Sequence, residues 1–276
     1  MENQEDVELL WKRAKELSSW YRRKNNSFNY WEEYNRRKVR EVFNEEGKIK
    51  DSFYKEELER IKKFVNPNYT ILDIGAGYGR LTIPLAKTAR KVVAIEPSKE
   101  GIKIMKNLAE KLNLQNIEFI NKKWEEVNLD EKYDLVICTY LEQLLTPEFL
   151  IKMHNASKGY CYIELPASSL EYHFYSRIYP MIMREKFERG IDYIHILLIL
   201  YAQKIYANVE IYETEAEKIF NTLNEALEEW EFRLSYFIDI TPEVRRKLVE
   251  YYMKNSKNGL FMDRYKVRTA VIWWKV

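Results

Sequence analysis

Ile71-Leu72-Asp73-Ile74-Gly75-Ala76-Gly77-Tyr78-Gly79-Arg80 reads as a short apolar strand that ends on an acid and runs into a glycine-rich turn. Glycines at alternate positions let the main chain approach a ligand and take conformations that a Cβ resists. Where such a turn opens a helix, its N–H groups favour a bound carboxylate. A second piece follows at Val92-Val93-Ala94-Ile95-Glu96-Pro97-Ser98, where Glu96 closes the next strand 21 positions after Gly75. An acid at that point faces the first turn and accepts hydrogen bonds from ribose hydroxyls. A dinucleotide fingerprint would need its third glycine one place later, where Arg80 stands, and Asp73 would repel a pyrophosphate. No Gly-Lys-Ser/Thr follows, which excludes a P-loop. Asp73 suits a ligand that carries an ammonium group and hydroxyls.

Outward from this stretch, short apolar runs alternate with helical segments. Strands are expected at Thr70–Ile74, Val92–Ile95, Ile117–Ile120, Leu135–Cys138 and Tyr160–Leu165, and helices at Arg80–Thr88, Ser98–Leu112 and Pro147–Ala156. Thr146-Pro147 supplies a cap followed by proline at the first helical position. This alternation specifies right-handed crossovers and a doubly wound, mostly parallel sheet. Val209–Tyr212 and Val267–Trp274 extend it to seven strands, an α/β Rossmann-like fold.

The flanks differ in texture. Before Asn66-Pro67-Asn68 the chain reads as helices, with Val7, Leu10, Ala14, Leu17 and Trp20 at helical intervals. Gly47 is expected to stop the second helix, and Asp51 or Ser52 to cap the third. Residues 167–207 read as an aromatic-rich helical insertion after the fifth strand. Two further helices precede the last strand, the second opening at Thr241-Pro242. The expected division is an N-terminal helical lid over 1–66 and a main domain over 67–276.

Composition narrows the function classes. With 46% hydrophobic and 32% charged residues among 276, the chain has material for a full core. Its net charge of +2 gives no global field to recruit nucleic acid or membrane. Cys138 and Cys161 lie in apolar runs without CxxC partners, so reduced core thiols and a cytoplasmic location are expected. His154, His173 and His195 lack metal-ligand spacing, and no metal is expected. There is no signal-peptide pattern, and the apolar run Ile194–Tyr201 is too short for a bilayer.

Asp73, the three glycines and Glu96, in this order, resemble the class I S-adenosylmethionine (SAM)-dependent methyltransferases, in particular the type 11 or ubiquinone-biosynthesis-like group. The resemblance spans Tyr69 to about Leu165, roughly a third of the chain. It implies SAM as cofactor, with Asp73, Gly75, Ala76, Gly77 and Gly79 around its methionine and ribose end and Glu96 on the ribose hydroxyls. The family often places an Asp after the third strand to read the adenine amino group, whereas Lys123 stands here. Adenine would then lie against Trp124 and Pro97 or Ser98, with Glu125 replacing the missing acid. Thr139 and its neighbours in Cys138–Glu142 would flank the reactive sulfonium.

Methyl transfer is an in-line displacement in which the protein mainly orients and desolvates. His173 is the best-placed candidate base, with Tyr140 and Glu142 as alternative polar groups near the methyl; the chemistry can also proceed without one. The acceptor expected is a small or medium-sized organic molecule, apolar or aromatic; the resemblance implies a pocket enclosed by the N-terminal helices and the insertion. The same aromatics serve equally well as packing between helices and sheet. A second reading is RNA, gripped by the ten Lys and Arg from Lys12 to Arg40, which interleave with aromatics and face only three Glu. A protein acceptor has no motif for or against it, and a SAM-binding protein without transferase activity is a further alternative.

Overall fold

A computed structural model describes residues 4–21, 27–44, 46, 48–50, 52–167 and 173–276. One sheet runs through it in the order β3-β2-β1-β4-β5-β7-β6. The strands are β1 (Thr70–Ile74), β2 (Lys91–Ile95), β3 (Ile117–Ile120), β4 (Tyr133–Thr139), β5 (Ser157–Pro166), β6 (Asn208–Phe220) and β7 (Phe261–Lys275). The helices are α1 (Gln4–Leu17), α2 (Ser27–Val42), α3 (Ser52–Lys62), α4 (Thr82–Ala86), α5 (Lys99–Lys111), α6 (Pro147–Ala156), α7 (Tyr179–Met183), α8 (Tyr193–Ala202), α9 (Leu223–Ser235) and α10 (Pro242–Asn255).

From β3 to β5 every pairing is parallel, as the alternation of strands and helices requires. Successive residues of β1 face opposite layers. Leu72 and Ile74 pack in a core with Val7 and Ala14 of α1, Phe149 and Met153 of α6, and Ile196 and Leu200 of α8. Ile71 packs on the other face with Ile61 and with Leu81 and Leu85 around α4. The helix starts follow the expected chemistry: Ser98, Thr146 and Thr241 each accept a hydrogen bond from a backbone N–H in the first turn. Cys138 and Cys161 are free and buried. Gly47, Asp51 and residues 168–172 lie outside the described residues, as does the Ser52 side chain.

The sheet is mixed, which corrects the expectation of a mostly parallel one at its far edge. β7 pairs antiparallel with both β5 and β6, because the chain returns through α9 and α10 and slots between them. β6 and β7 are also far longer than the sequence pattern indicates. The ladder continues from Thr269, level with Pro166, out to the Phe220–Phe261 pair, eight residues or roughly 27 Å beyond the end of β5. These outer halves escape a search for apolar runs because charged pairs line them, such as Glu217 with Arg264 and Glu213 with Lys266 and Arg268.

Around this projecting ribbon lies a second core. Phe174, Ile178, Tyr179, Phe220, Trp230, Phe237, Leu248, Tyr252 and Phe261 are buried together, with Trp20 and Tyr30 reaching in from the N-terminal segment. Trp20 meets Tyr236 and Phe237 at ring distances of 4.7 and 5.3 Å, and Tyr30 stacks on Phe232 at 4.6 Å. Many aromatics of both flanks therefore serve packing between elements. Trp230 is fully buried at the centre of this core. Trp230→Ala should cost about 3–5 kcal/mol of stability in chemical denaturation through the cavity it leaves; a loss below about 1 kcal/mol would show that the second core collapses around the gap.

Candidate functional site

At the C-terminal end of β1, Asp73 is buried and accepts a hydrogen bond of 2.6 Å from the Thr82 hydroxyl at the start of α4. Gly75, Gly77 and Gly79 all have positive φ, so the turn is one that glycine alone takes without strain. A Cβ on Gly75 would lie 2.3 Å from Leu141, which brings the segment after β4 directly over the turn. The turn amides are not held out for a ligand, contrary to the sequence reading. Gly75 and Ala76 donate to the Ile95 carbonyl, at 2.8 and 3.0 Å, and Gly77 donates to Glu96 Oε2 at 2.8 Å. Ser98 N–H donates to the other carboxylate oxygen of Glu96 at 2.8 Å. Strand β2 thus clamps the turn.

The two acids are set apart by their electrostatics. Burial pushes the Asp73 carboxyl up to about 6, against the lowering effect of its bonds to Thr82. Burial likewise pushes Glu96 up to about 7, helped by the charges of Asp73 and Glu32 and opposed by the Ser98 and Gly77 amides. Among the described residues neither acid has an ion-pair partner. A cationic ligand with hydroxyl donors would supply what this pair lacks, so the residues fit the SAM expected from the resemblance.

Several residues that frame this pair carried no sequence signal. Asn35, buried on α2, donates through Nδ2 to Ser98 Oγ at 3.1 Å and lies beside Gly77. Glu32, one turn earlier, accepts from the Lys99 and Glu100 amides at 2.9 and 2.8 Å and so complements the positive end of α5. Asn121 Nδ2 donates to the carbonyls of Glu96 and Pro97, both at 2.9 Å. Only the meeting of distant elements brings these groups here, so no local motif announces them. Arg80, which breaks the dinucleotide pattern, pairs with the buried Glu57 and donates to Thr139 Oγ1 at 3.2 Å, tying α3 to the end of β4.

Tyr140 has φ +57; its N–H donates to the Glu164 carbonyl at 2.8 Å and its hydroxyl lies 3.4 Å from Glu164 Oε1. Burial and the Glu164 charge raise its pKa well above the usual phenol. Glu164 is itself buried, with Arg60 at 2.5 Å and the Tyr162 hydroxyl at 2.6 Å. Trp124 is buried against Phe149 of α6, with the Lys152 ammonium 4.4 Å over its ring and, among the described residues, its indole N–H unpartnered. Pro97 and Glu125 are exposed.

His173 is not brought to the carboxylate pair, which corrects its expected place over the cleft. Its Nδ1 lies 3.1 Å from Asp263 Oδ1, its N–H donates to Asp263 Oδ2 at 2.7 Å, and its ring packs on Phe261 in the second core. Asp263 stands six residues, roughly 20 Å, outward along β7 from Thr269. His195 completes the cap of α8 with Asp192 at 2.8 Å. Of the basic residues, Arg36 pairs with Glu33 and Glu100, Arg37 with Glu33, and Lys38 with Glu41. Arg22, Arg23 and Lys24 lie outside the described residues, as does the Phe28 side chain. Among the described residues no group of three His, Cys, Asp or Glu could hold a metal ion, and no helix is long and apolar enough to cross a membrane.

Beyond β4 and β5 the chain is roofed. Ser19 N–H donates to the Glu188 carbonyl at 2.7 Å, and Glu188 N–H donates back to Ser19 Oγ at 3.0 Å. Ser18 Oγ and Gln143 Nε2 both donate to the Arg189 carbonyl, at 2.6 and 3.1 Å, and the Tyr21 hydroxyl donates to the Gln143 carbonyl. The end of α1, the segment after β4 and the loop before α8 are thereby knitted together.

Residues 65–226, more than half of the chain, match the family described as "Methyltransferase domain". The chain is 41% identical over 83 residues to a "probable ribosomal RNA small subunit methyltransferase A" of Methanosphaera stadtmanae, a match that spans only 30% of each chain. It is 25% identical over 235 residues to an uncharacterized protein of Haemophilus influenzae, covering 82% of this chain and 83% of that one. In fold it is similar to a coclaurine N-methyltransferase bound to N-methylheliamine and SAH, with a TM-score of 0.52, 16% identity and coverage of 99% of this chain and 95% of that one.

Because burial raises both acids above their ordinary values, the folded state holds protons that the unfolded state releases. Their contribution to stability is therefore greatest below about pH 4 and falls as pH rises through about 6 and 7. Glu96→Gln should gain on the order of 1 kcal/mol over the unchanged chain at pH 8 and little at pH 5, read from parallel denaturant titrations. An equal difference at both values would mean that Glu96 is not held protonated by its surroundings.

Proposed function

The chain belongs to the "Methyltransferase domain" family and is a class I SAM-dependent methyltransferase; from that premise we propose that its methyl acceptor is a small or medium-sized organic molecule, apolar or aromatic in its body. The observation that carries this reading is the roof of Ser18, Ser19, Gln143 and Arg189 over the ends of β4 and β5. An enclosed reaction end excludes water and favours a compact acceptor over a folded macromolecule. The carboxylate pairing of Arg36, Arg37 and Lys38 also leaves that stretch with less charge to offer phosphates.

SAM, when bound, supplies a methyl group activated by an adjacent sulfonium. Asp73 and the Gly75–Gly79 turn would hold its methionine and ribose end, and Glu96 its ribose hydroxyls. Pro97, Trp124 and Glu125 would border the adenine, where the Trp124 indole N–H, without a hydrogen-bond partner among the described residues, would be an available donor. Thr139 and Tyr140 stand at the transfer end. Tyr140 acts there as a neutral hydroxyl that orients the acceptor, since its raised pKa disfavours a phenolate. His173 has no part in the transfer. The described residues before Pro67 act as a cap whose α2 is latched to α5 through Glu32 and Asn35.

Asp73→Ala and Glu96→Ala should each weaken SAM binding by about 100-fold or more with native circular dichroism retained, since each removes bonds to a charged partner. Near-unchanged affinity in both would place the cofactor elsewhere. Incubation with methyl-labelled SAM should move label into small aromatic acceptors and not into RNA; label recovered in RNA at physiological salt would overturn the acceptor class.

A further inference from the structure

Arg189 sits in the loop between α7 and α8, and its guanidinium has an unusual environment. Nη1 donates to the Pro166 carbonyl, at the C-terminal end of β5, at 2.6 Å. Nε and Nη2 are both buried, and neither has a hydrogen-bond partner among the described residues. These two groups lie along one edge of the guanidinium and form the fork that grips a carboxylate through two parallel bonds. Burying a charged fork without an acceptor is costly.

The surroundings hold this arrangement rigidly. The Arg189 carbonyl accepts from Ser18 and Gln143. Gly190 follows with φ +87, and a Cβ there would lie 2.4 Å from Ser18 Cβ and 2.5 Å from the Ala14 carbonyl. The loop is therefore pinned at the residue itself and at the one after it. Glu142, Asp192, Tyr175 and Tyr140 lie near enough to act on the Arg189 charge, yet none bonds to the free edge. These neighbours belong to the segment after β4 and to the insertion, and none to the Asp73–Glu96 clamp.

We propose that Arg189 binds a carboxylate of the methyl acceptor, so that the acceptor is an organic acid with an apolar body. This rests on the methyltransferase reading and narrows it. The carboxylate of SAM's own methionine is the rival occupant of this fork, and the SAM titration below separates the two.

The test uses the full chain and Arg189→Met, with SAM affinity measured calorimetrically. A panel of aromatic and aliphatic monocarboxylates, with benzoate first, is then titrated beside the matching neutral amides. The expected result is that the wild type binds carboxylates and not amides, and that Arg189→Met loses carboxylate binding by about 10- to 100-fold. SAM affinity stays unchanged, and the ligand-free variant melts at or above the wild-type temperature, because an unpaired buried charge has gone. Equal binding of acids and amides, or carboxylate binding intact in Arg189→Met, would overturn the proposal. So would a fall in SAM affinity, which would assign the fork to the cofactor. A lower melting temperature would overturn it too, by making Arg189 a structural residue. Absence of SAM binding by the wild type would instead count against the methyltransferase reading.

Discussion

Two carboxylates buried close together, with no ion-pair partner among the described residues, are the constraint around which the rest of this structure is arranged. Asp73 stands on β1 level with Ala94 of β2, and Glu96 follows two residues further along, close enough for the two charges to oppose each other. Their charge is opposed by burial and relieved only in part by a hydroxyl and backbone amides. A site of this kind is unfavourable when ionised and becomes favourable when a cationic, hydroxyl-bearing ligand arrives. The glycine turn, the clamp by β2 and the latch of α2 on α5 surround this pair.

The reactive end is built differently. At the ends of β4 and β5 polar side chains meet partners distant in sequence: Tyr140 with Glu164, Glu164 with Arg60, and Arg80 with Glu57 and Thr139. These tie α3 to the sheet and fix the segment after β4. Above them the roof joins three elements that are far apart in sequence. The projecting halves of β6 and β7 carry a separate aromatic core, against which Trp20 and Tyr30 of the N-terminal segment pack.

The central sheet is legible in the sequence because strand burial on both faces leaves continuous apolar runs, as in the fully buried β1; β3, at the edge and partly exposed, also matches the sequence pattern residue for residue. The glycine turn and the two buried acids are legible because they follow directly on strands β1 and β2 in local sequence. The outer halves of β6 and β7 are not, because one face is exposed and charged, which dilutes the apolar signal. Asn35, Glu32 and Asn121 are hidden for another reason, since their roles arise only when distant elements meet. The expectation of His173 as a base near the cleft fails because the direction of the ribbon, outward from the sheet, is a tertiary property. Arg189 leaves no mark in sequence at all; an arginine in a loop becomes notable only once two of its donor nitrogens are seen to be buried with no hydrogen-bond partner among the described residues.

The claim that this carboxylate pair is a SAM site is tested most directly by calorimetric titration of the purified protein with SAM and, separately, with NAD. Saturable SAM binding with no heat from NAD is the predicted result. NAD binding, or the absence of SAM binding alongside a folded protein, would contradict it.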